Sequence, residues 1–482
     1  MPRRMGRLVK QSGILMGMEL GIRLIDALVA VILARYLAPQ GFGLMAFALS
    51  FASLFSMIPG FGMGSLSIRD LARNPEQVSH YLANGLVAKA FLAAFTFALI
   101  FILTQFMGFA ASKTLIVMLA ALLMVVETNV VFPLGFFQAA QRMWTVALVQ
   151  LAIRVGWLIA ALAVIGMRGG LVELLGSRAA VTAVGLITAL VLIDRRLQRI
   201  RWSVNLRFIP WMLKSSFPFV LFRVFSAYHL ELGVVMLSMI RGDVVTGWLV
   251  AAQKIIRVFQ FVPRSLYEVM VPELSRPSRT LRTDILATLT RSWKYLLLIA
   301  LPIAGGTYIL ADRFILLLYG QAYAPAAPAL RILIWLIPFG FVNSTLRAAV
   351  VSVDLERQTA VALMGVLALN ALLNLVAIPH FGLVGAAGTL LLTTILTFLL
   401  QLLLLRRALP TLGFSNGTIK PVLATVGMMA FTWLSRDSGL VYAILGSVAV
   451  YVGCLVLLRV IGRDEWSLLN GIVRPKAIDE RA

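Results

Sequence analysis

The sequence predicts an all-α polytopic membrane protein of about fourteen transmembrane helices. Three observations carry that prediction. The 482 residues are 60% hydrophobic and 13% charged, with a mean hydropathy of +0.94, which leaves too little polar surface for a water-soluble chain. The apolar residues recur in runs of about 20, the length that spans a hydrocarbon core of about 30 Å at 1.5 Å per residue. Lys and Arg, finally, alternate between rich and poor connectors in the way that sets orientation in a bilayer.

In chain order, the runs place spans at 12–34, 42–66, 81–105, 114–137, 145–166, 170–193, 216–240, 245–271, 293–311, 327–351, 359–379, 383–405, 420–435 and 440–461, bounds good to a few residues. The basic stretch MPRRMGRLVKQ precedes the first span without a small-residue cleavage site behind a short apolar core. The first span is therefore expected to be retained. With the N-terminus inside, the cytoplasmic segments hold twenty-seven Lys and Arg, while the outer ones hold only Arg35, Lys113, Arg168, Arg241, Arg313 and Arg436. Both termini are accordingly expected on the cytoplasmic side. The longest basic connector, Asp194–Lys214, interleaves Trp202, Phe208 and Trp211 with arginines. It reads as an interfacial amphipathic helix or as an ordinary positive-inside loop.

A repeat emerges at an offset of 206 residues, pairing Arg35 with Arg241, Gly41 with Gly247 and Phe42 with Trp248. Pro59 and Pro263 stand two residues out of that register, placed to kink matching second helices. Six spans separate the copies, so both point the same way through the membrane, an arrangement used by some transporters with a site between the halves.

Several chemistries are excluded or disfavoured. Cys454 is the only cysteine, so no intrachain disulfide or cysteine-based metal site is expected, and His80, His229 and His380 are scattered. No P-loop, G-x-S-x-G or H-E-x-x-H occurs, so neither an enzyme nor a cofactor is expected. The net charge of +23 fits basic loops beside anionic lipid rather than a nucleic-acid partner.

The charges inside spans carry the functional expectation. Glu19, Arg23 and Asp26 are spaced i, i+4, i+7 on one narrow face of the first span. In the eighth span Lys254, Arg257, Arg264 and Glu268 share an arc of about 80°, with Gln253 and Gln260 beside them. Ionisable groups at that depth face protein or water, because lipid exposure costs several kcal/mol. Arg154 and Arg223 also lie deep, whereas Lys89, Arg178 and Arg331 sit near enough to span ends to reach headgroups. Bases outnumber acids on the first- and eighth-span faces. A desolvated cation without a partner is costly, so Arg23, Arg154, Arg223, Lys254, Arg257 and Arg264 are candidate contacts for an anion, bidentate where arginine meets phosphate. The competing reading makes them internal ion pairs with Glu127, Glu173 and Glu231. Glu19, Asp26, Glu127 and Glu231 are candidates for exchanging a proton or Na⁺, and Pro133 is placed to break the helix after Glu127. Asn370 with Asn374, and Asn343 with Arg347, share helix faces, and interhelical hydrogen bonding is the preferred role of the asparagines.

Ile32–Arg73, above all the L-x-P-x-x-F-G of Tyr36–Gly43, resembles the second-span region of bacterial lipid-linked oligosaccharide flippases. These are the O-antigen and exopolysaccharide translocases of the multidrug/oligosaccharidyl-lipid/polysaccharide exporter superfamily. His380–Gln401, small residues after a glycine turn, is similar to that family's twelfth span. The resemblance implies two six-helix lobes, residues 1–200 and 201–412, around a cationic cavity, with two further helices and a cytoplasmic tail in 413–482. It implies rocking alternating access in a bacterial inner membrane, with an undecaprenyl-pyrophosphate-linked glycan as cargo. Membrane lipids, H⁺ or Na⁺, and a polysaccharide polymerase in the same membrane are the expected partners. A peptidoglycan-precursor flippase and a cation-coupled multidrug exporter compete within the superfamily. A membrane polymerase or ligase is disfavoured by short outer loops.

Overall fold

The computed structural model describes residues 2–259, 281–353, 355–410, 416–458 and 460, and among these the side chains of all but 2–16, 218–227, 281–285, 287 and 416–418. Among the described residues the chain is all helix and turn, with sixteen α-helices, two short 3₁₀ segments and no strand. Six helices are long and apolar enough to cross a membrane, and three bent pairs pass the same test. The protein is thus a multi-pass membrane protein, and the expected spans fall largely on helix where they are described, with fourteen as an approximate count.

The chain divides into two compact units. One comprises Met1–Phe261, Leu318–Ala329 and Ala360–Thr393, the other Val262–Leu317, Leu330–Thr359 and Thr394–Ala482.

In the first unit, α1 (Pro2–Ser53) holds the first span and the start of the second, broken at Ala38 with φ 54°. Pro39 explains the break, since the residue before a proline is driven out of the helical region. The second span continues through α2 (Met57–Gly60) and α3 (Met63–Leu71), across left-handed Phe61 and Gly62. Helices α4 (Val78–Phe106), α5 (Ala111–Ala139), α6 (Met143–Gly166), α7 (Leu171–Arg196), α8 (Phe208–Arg241) and α9 (Asp243–Phe259) follow. Pro133 does not break α5, which runs on to Ala139. Phe132, Phe136, Phe137, Tyr81, Leu82 and Met212 form an apolar core. The connector before α8 is irregular from 198 to 207 rather than an amphipathic helix. It is strapped to α4: Ser79 Oγ donates to Arg199 O at 3.0 Å and the Asn205 amide to Asn84 Oδ1 at 2.7 Å. Asn205 Oδ1 also accepts from the Arg207 amide at 3.0 Å, the turn chemistry by which asparagine competes with helix.

The second arm of α1 and α9 cross at their N-terminal ends. A Cβ on Gly43 would lie 1.7 Å from Asp243 O, and one on Gly247 would lie 2.1 Å from Pro39 O. The contact is reciprocal: Gly43 is to Gly247 as Pro39 is to Asp243, a shift of 204 residues in both cases. The contact is symmetric under a shift of 204, the register of the two prolines, rather than the 206 of the expected repeat. Gly247 pairs with Gly43, not with Gly41. The same end is laced by Tyr36 Oη to Gly169 O at 2.8 Å, Tyr323 Oη to Ala34 O at 2.8 Å and Arg35 Nε to Leu318 O at 2.7 Å.

In the second unit, α10 (Leu281–Ile309), α11 (Ala311–Tyr319), α12 (Ala327–Leu333), α13 (Leu336–Ser352), the two ends of α14 (Glu356–Ala408), α15 (Asn416–Leu434) and α16 (Leu440–Leu457) succeed one another, α11 and α12 running partly, and α14 over 360–393, into the first unit. Trp293, fully buried, donates Nε1 to Thr345 Oγ1 at 2.8 Å inside a core with Leu346, Phe398 and Leu405. Tyr451 docks α16 by donating to Leu298 O at 2.9 Å. Gly382 (φ 52°, ψ −123°) divides α14 into the eleventh and twelfth expected spans, a conformation that glycine enters without steric cost.

Candidate functional site

The charged faces foreseen in the first and eighth spans lie in the first unit, and α5 to α8 add to them. Arg23 Nη2 lies 3.2 Å from Glu19 Oε1 one turn away on α1. Asp26, on the same face, receives Arg154 Nε of α6 at 3.5 Å. Arg178 of α7 reaches Glu127 of α5 at 2.7 Å and stacks over Trp157, 5.7 Å from its ring centre. On the α8–α9 side, Glu231 accepts Arg257 Nη2 at 3.0 Å and Ser50 Oγ of α1 at 2.6 Å. One carboxylate thus bridges three helices.

Lys254 joins these pairs. It lies in the electrostatic field of Arg257, Arg178, Glu231 and Asp26 together, so groups of α1, α7, α8 and α9 form one charged cluster, the candidate chamber. The paired side chains are between 20% and 42% exposed. Charged groups at bilayer depth face protein or water rather than lipid. Among the described residues Arg23, Arg154, Arg178 and Arg257 each have a carboxylate partner. Lys254 is the cation of the set with none at ion-pair distance.

This arrangement corrects several expectations. Acids are not scarce in space, because Asp26 and Glu127 meet bases that lie far away in sequence. Arg178 does not reach for headgroups but belongs to the chamber. Lys89 is 2% exposed, donates to Pro59 O at 2.8 Å and sits 5.6 Å from the Phe132 ring centre. It satisfies a carbonyl at the break of the second span. Arg331 pairs with Asp312. Glu173 takes no arginine and accepts the Gly170 amide at 2.8 Å as the cap of α7. The side chain of Arg223, and Gln260, Arg264 and Glu268 altogether, lie outside the described residues.

The asparagines act as expected. Asn374 Nδ2 donates to Asn370 Oδ1 at 3.0 Å, Asn370 Nδ2 to Thr393 Oγ1 at 3.0 Å, and Thr389 Oγ1 to Asn374 Oδ1 at 2.6 Å. His229 Nε2 lies 2.9 Å from the same Thr393 hydroxyl. A buried polar ladder so ties the two arms of α14 together and to α8. In the second unit Asn343 Nδ2 donates to Thr394 O at 3.4 Å.

A family model described as polysaccharide biosynthesis protein matches residues 8–277, more than half of the chain. No curated protein matches the sequence. The structure is similar to that of the lipid II flippase MurJ in an inward closed conformation, with a TM-score of 0.79 and 14% identity over 92% of this chain and 99% of that one. It is also similar to the MATE multidrug transporter DinF-BH in complex with R6G, with a TM-score of 0.60 and 15% identity over 83% and 95% of the chains. An inward-facing multidrug resistance MATE family transporter of the MOP superfamily gives a TM-score of 0.57 and 15% identity over 83% and 94%. At such identities the likeness is one of fold.

Proposed function

The chain belongs to the polysaccharide biosynthesis protein family, and from that premise we propose that it moves an undecaprenyl-pyrophosphate-linked oligosaccharide or polysaccharide repeat unit from the cytoplasmic to the outer face of a bacterial inner membrane. It works as a carrier by alternating access and not as an enzyme. The observation that carries the reading is Lys254: among the described residues five bases and four acids gather in this cluster, and the cation left over has no carboxylate at ion-pair distance. A pyrophosphate supplies the missing charge, with Lys254 as a point charge and Arg257 and Arg154 able to turn planar forks towards its oxygens.

The same reading assigns the glycine crossing. With the N-terminus inside, Gly43 and Gly247 close the outer end, so the chamber opens to the cytoplasm, where the loaded lipid is made. Lobes 1–200 and 201–412 then rock about it. Glu231, released from Arg257 when substrate arrives, is the coupling group that takes up a proton or Na⁺, with Glu19, Asp26 and Glu127 as its auxiliaries.

Neutralising Lys254 (Lys254→Gln) is expected to abolish surface polysaccharide while membrane abundance stays unchanged, and Lys254→Arg to retain part of it. Normal export by Lys254→Gln, Arg257→Gln and Arg154→Gln overturns the reading. The four carboxylates favour one competitor, a cation-coupled multidrug exporter. It requires the acid-neutralised variants to lose resistance to cationic dyes in cells whose surface polymer is intact.

A further inference from the structure

The second unit contains a cavity that the chamber does not involve. It measures about 460 Å³ and is walled by the end of α10, the start of α11, the last turn of α12 and the turn between α15 and α16. Arg313, Arg331 and Arg436 converge on it from three elements, facing Asp312 and Asp437, with Trp433 at its edge.

These charges are unequally settled. Arg331 is held by Asp312. Arg313 and Arg436 share a single carboxylate, Asp437, at 3.9 and 3.4 Å. Asp437 is 87% exposed, so solvent screens it and the pairs contribute little. Arg313 also donates to the Ser438 carbonyl. Two guanidiniums thus retain donors for an anion with several oxygens, and the cavity carries one more positive than negative charge. Arg436 lies 5.2 Å from the Trp433 ring centre, which orients its plane.

The cavity also has a depth. Tyr308 and Trp433 mark the level where aromatic rings gather between headgroups and hydrocarbon. Further down α15, exposed Val422, Leu423 and Val426 follow. A ligand seated there meets guanidinium at its head and an apolar helix along its tail.

We propose that this cavity binds the phosphate headgroup of an anionic phospholipid, whose chains lie along α15. The inference stands whether or not the chamber carries a glycan lipid.

The test measures lipid binding to the purified full-length protein in detergent, by native mass spectrometry and by thermal shift. Phosphatidylglycerol should bind saturably and phosphatidylcholine should not. Arg436→Gln should weaken phosphatidylglycerol about fivefold, the effect of one basic residue near a lipid surface. Asp437→Asn removes the competing carboxylate at an exposed turn and should strengthen binding by a similar factor. Opposite signs in two surface variants separate a binding effect from a folding defect. Equal binding of phosphatidylcholine, or phosphatidylglycerol binding unmoved by both variants, overturns the proposal. Inorganic phosphate binding as tightly as phosphatidylglycerol overturns the lipid as its source.

Discussion

Arg178 and Lys254 share one chamber, yet Arg178 has Glu127 at 2.7 Å while Lys254 only feels charges around it. Removing one member of a partly desolvated pair leaves a charge uncompensated, and removing both does not. Glu127→Gln alone should therefore lower the melting temperature of the purified protein more than Glu127→Gln combined with Arg178→Met. Additive losses would show that the pair is not coupled. Helical spacing is legible in a sequence, which is why Glu19, Arg23 and Asp26, one turn apart, could be placed on one face. Tertiary pairing is not. Arg178 lies 51 residues from Glu127, and its position near the start of a span reads equally well as a headgroup contact. Lys89 misled for the same reason: the carbonyl it satisfies is freed by a break 30 residues earlier.

At the scale of the element, the apolar runs placed the helices and the prolines and glycines placed their ends. Two places need a physical account. Pro133 was expected to break α5 and does not, because neighbouring helices in a bundle can accommodate the lost hydrogen bond. The basic connector before α8 read as an amphipathic helix or an ordinary loop, and side-chain hydrogen bonds to its backbone hold it open as the loop. The register of the glycine crossing is not legible in the sequence. Gly41 and Gly43 are alike in sequence, and only the crossing shows which one meets the partner copy. Under a shift of 204, Ser50 and Ser53 stand where Lys254 and Arg257 do, so the second copy carries the cations and the first the hydroxyls. Gly43→Val should be far more damaging than Gly41→Val. The added carbons at position 43 meet the Asp243 backbone, whereas those at 41 meet only the Leu37 side chain at 3.2 Å. Both the melting temperature and surface polysaccharide are expected to fall in the first variant and to change little in the second. Equal behaviour would remove the crossing as a close backbone contact.

For the whole molecule, the direction of transport depends on orientation, and orientation is argued from charge alone. The connectors rich in Lys and Arg follow even-numbered spans, and the poor ones follow odd-numbered spans. If the N-terminus faces the cytoplasm, then Arg73, after the second span, is inside and Arg168, after the fifth, is outside; both are exposed. The single native cysteine, Cys454, makes the test direct. In a Cys454→Ser background, Arg168→Cys should react with a membrane-impermeant maleimide on intact spheroplasts, and Arg73→Cys should react only after the membrane is opened. The reverse pattern would put the glycine crossing at the cytoplasmic end and open the chamber outward. A carrier in that state would be waiting for a ligand from outside, and the assignment of the chamber to a lipid-linked glycan made in the cytoplasm would need a different resting state.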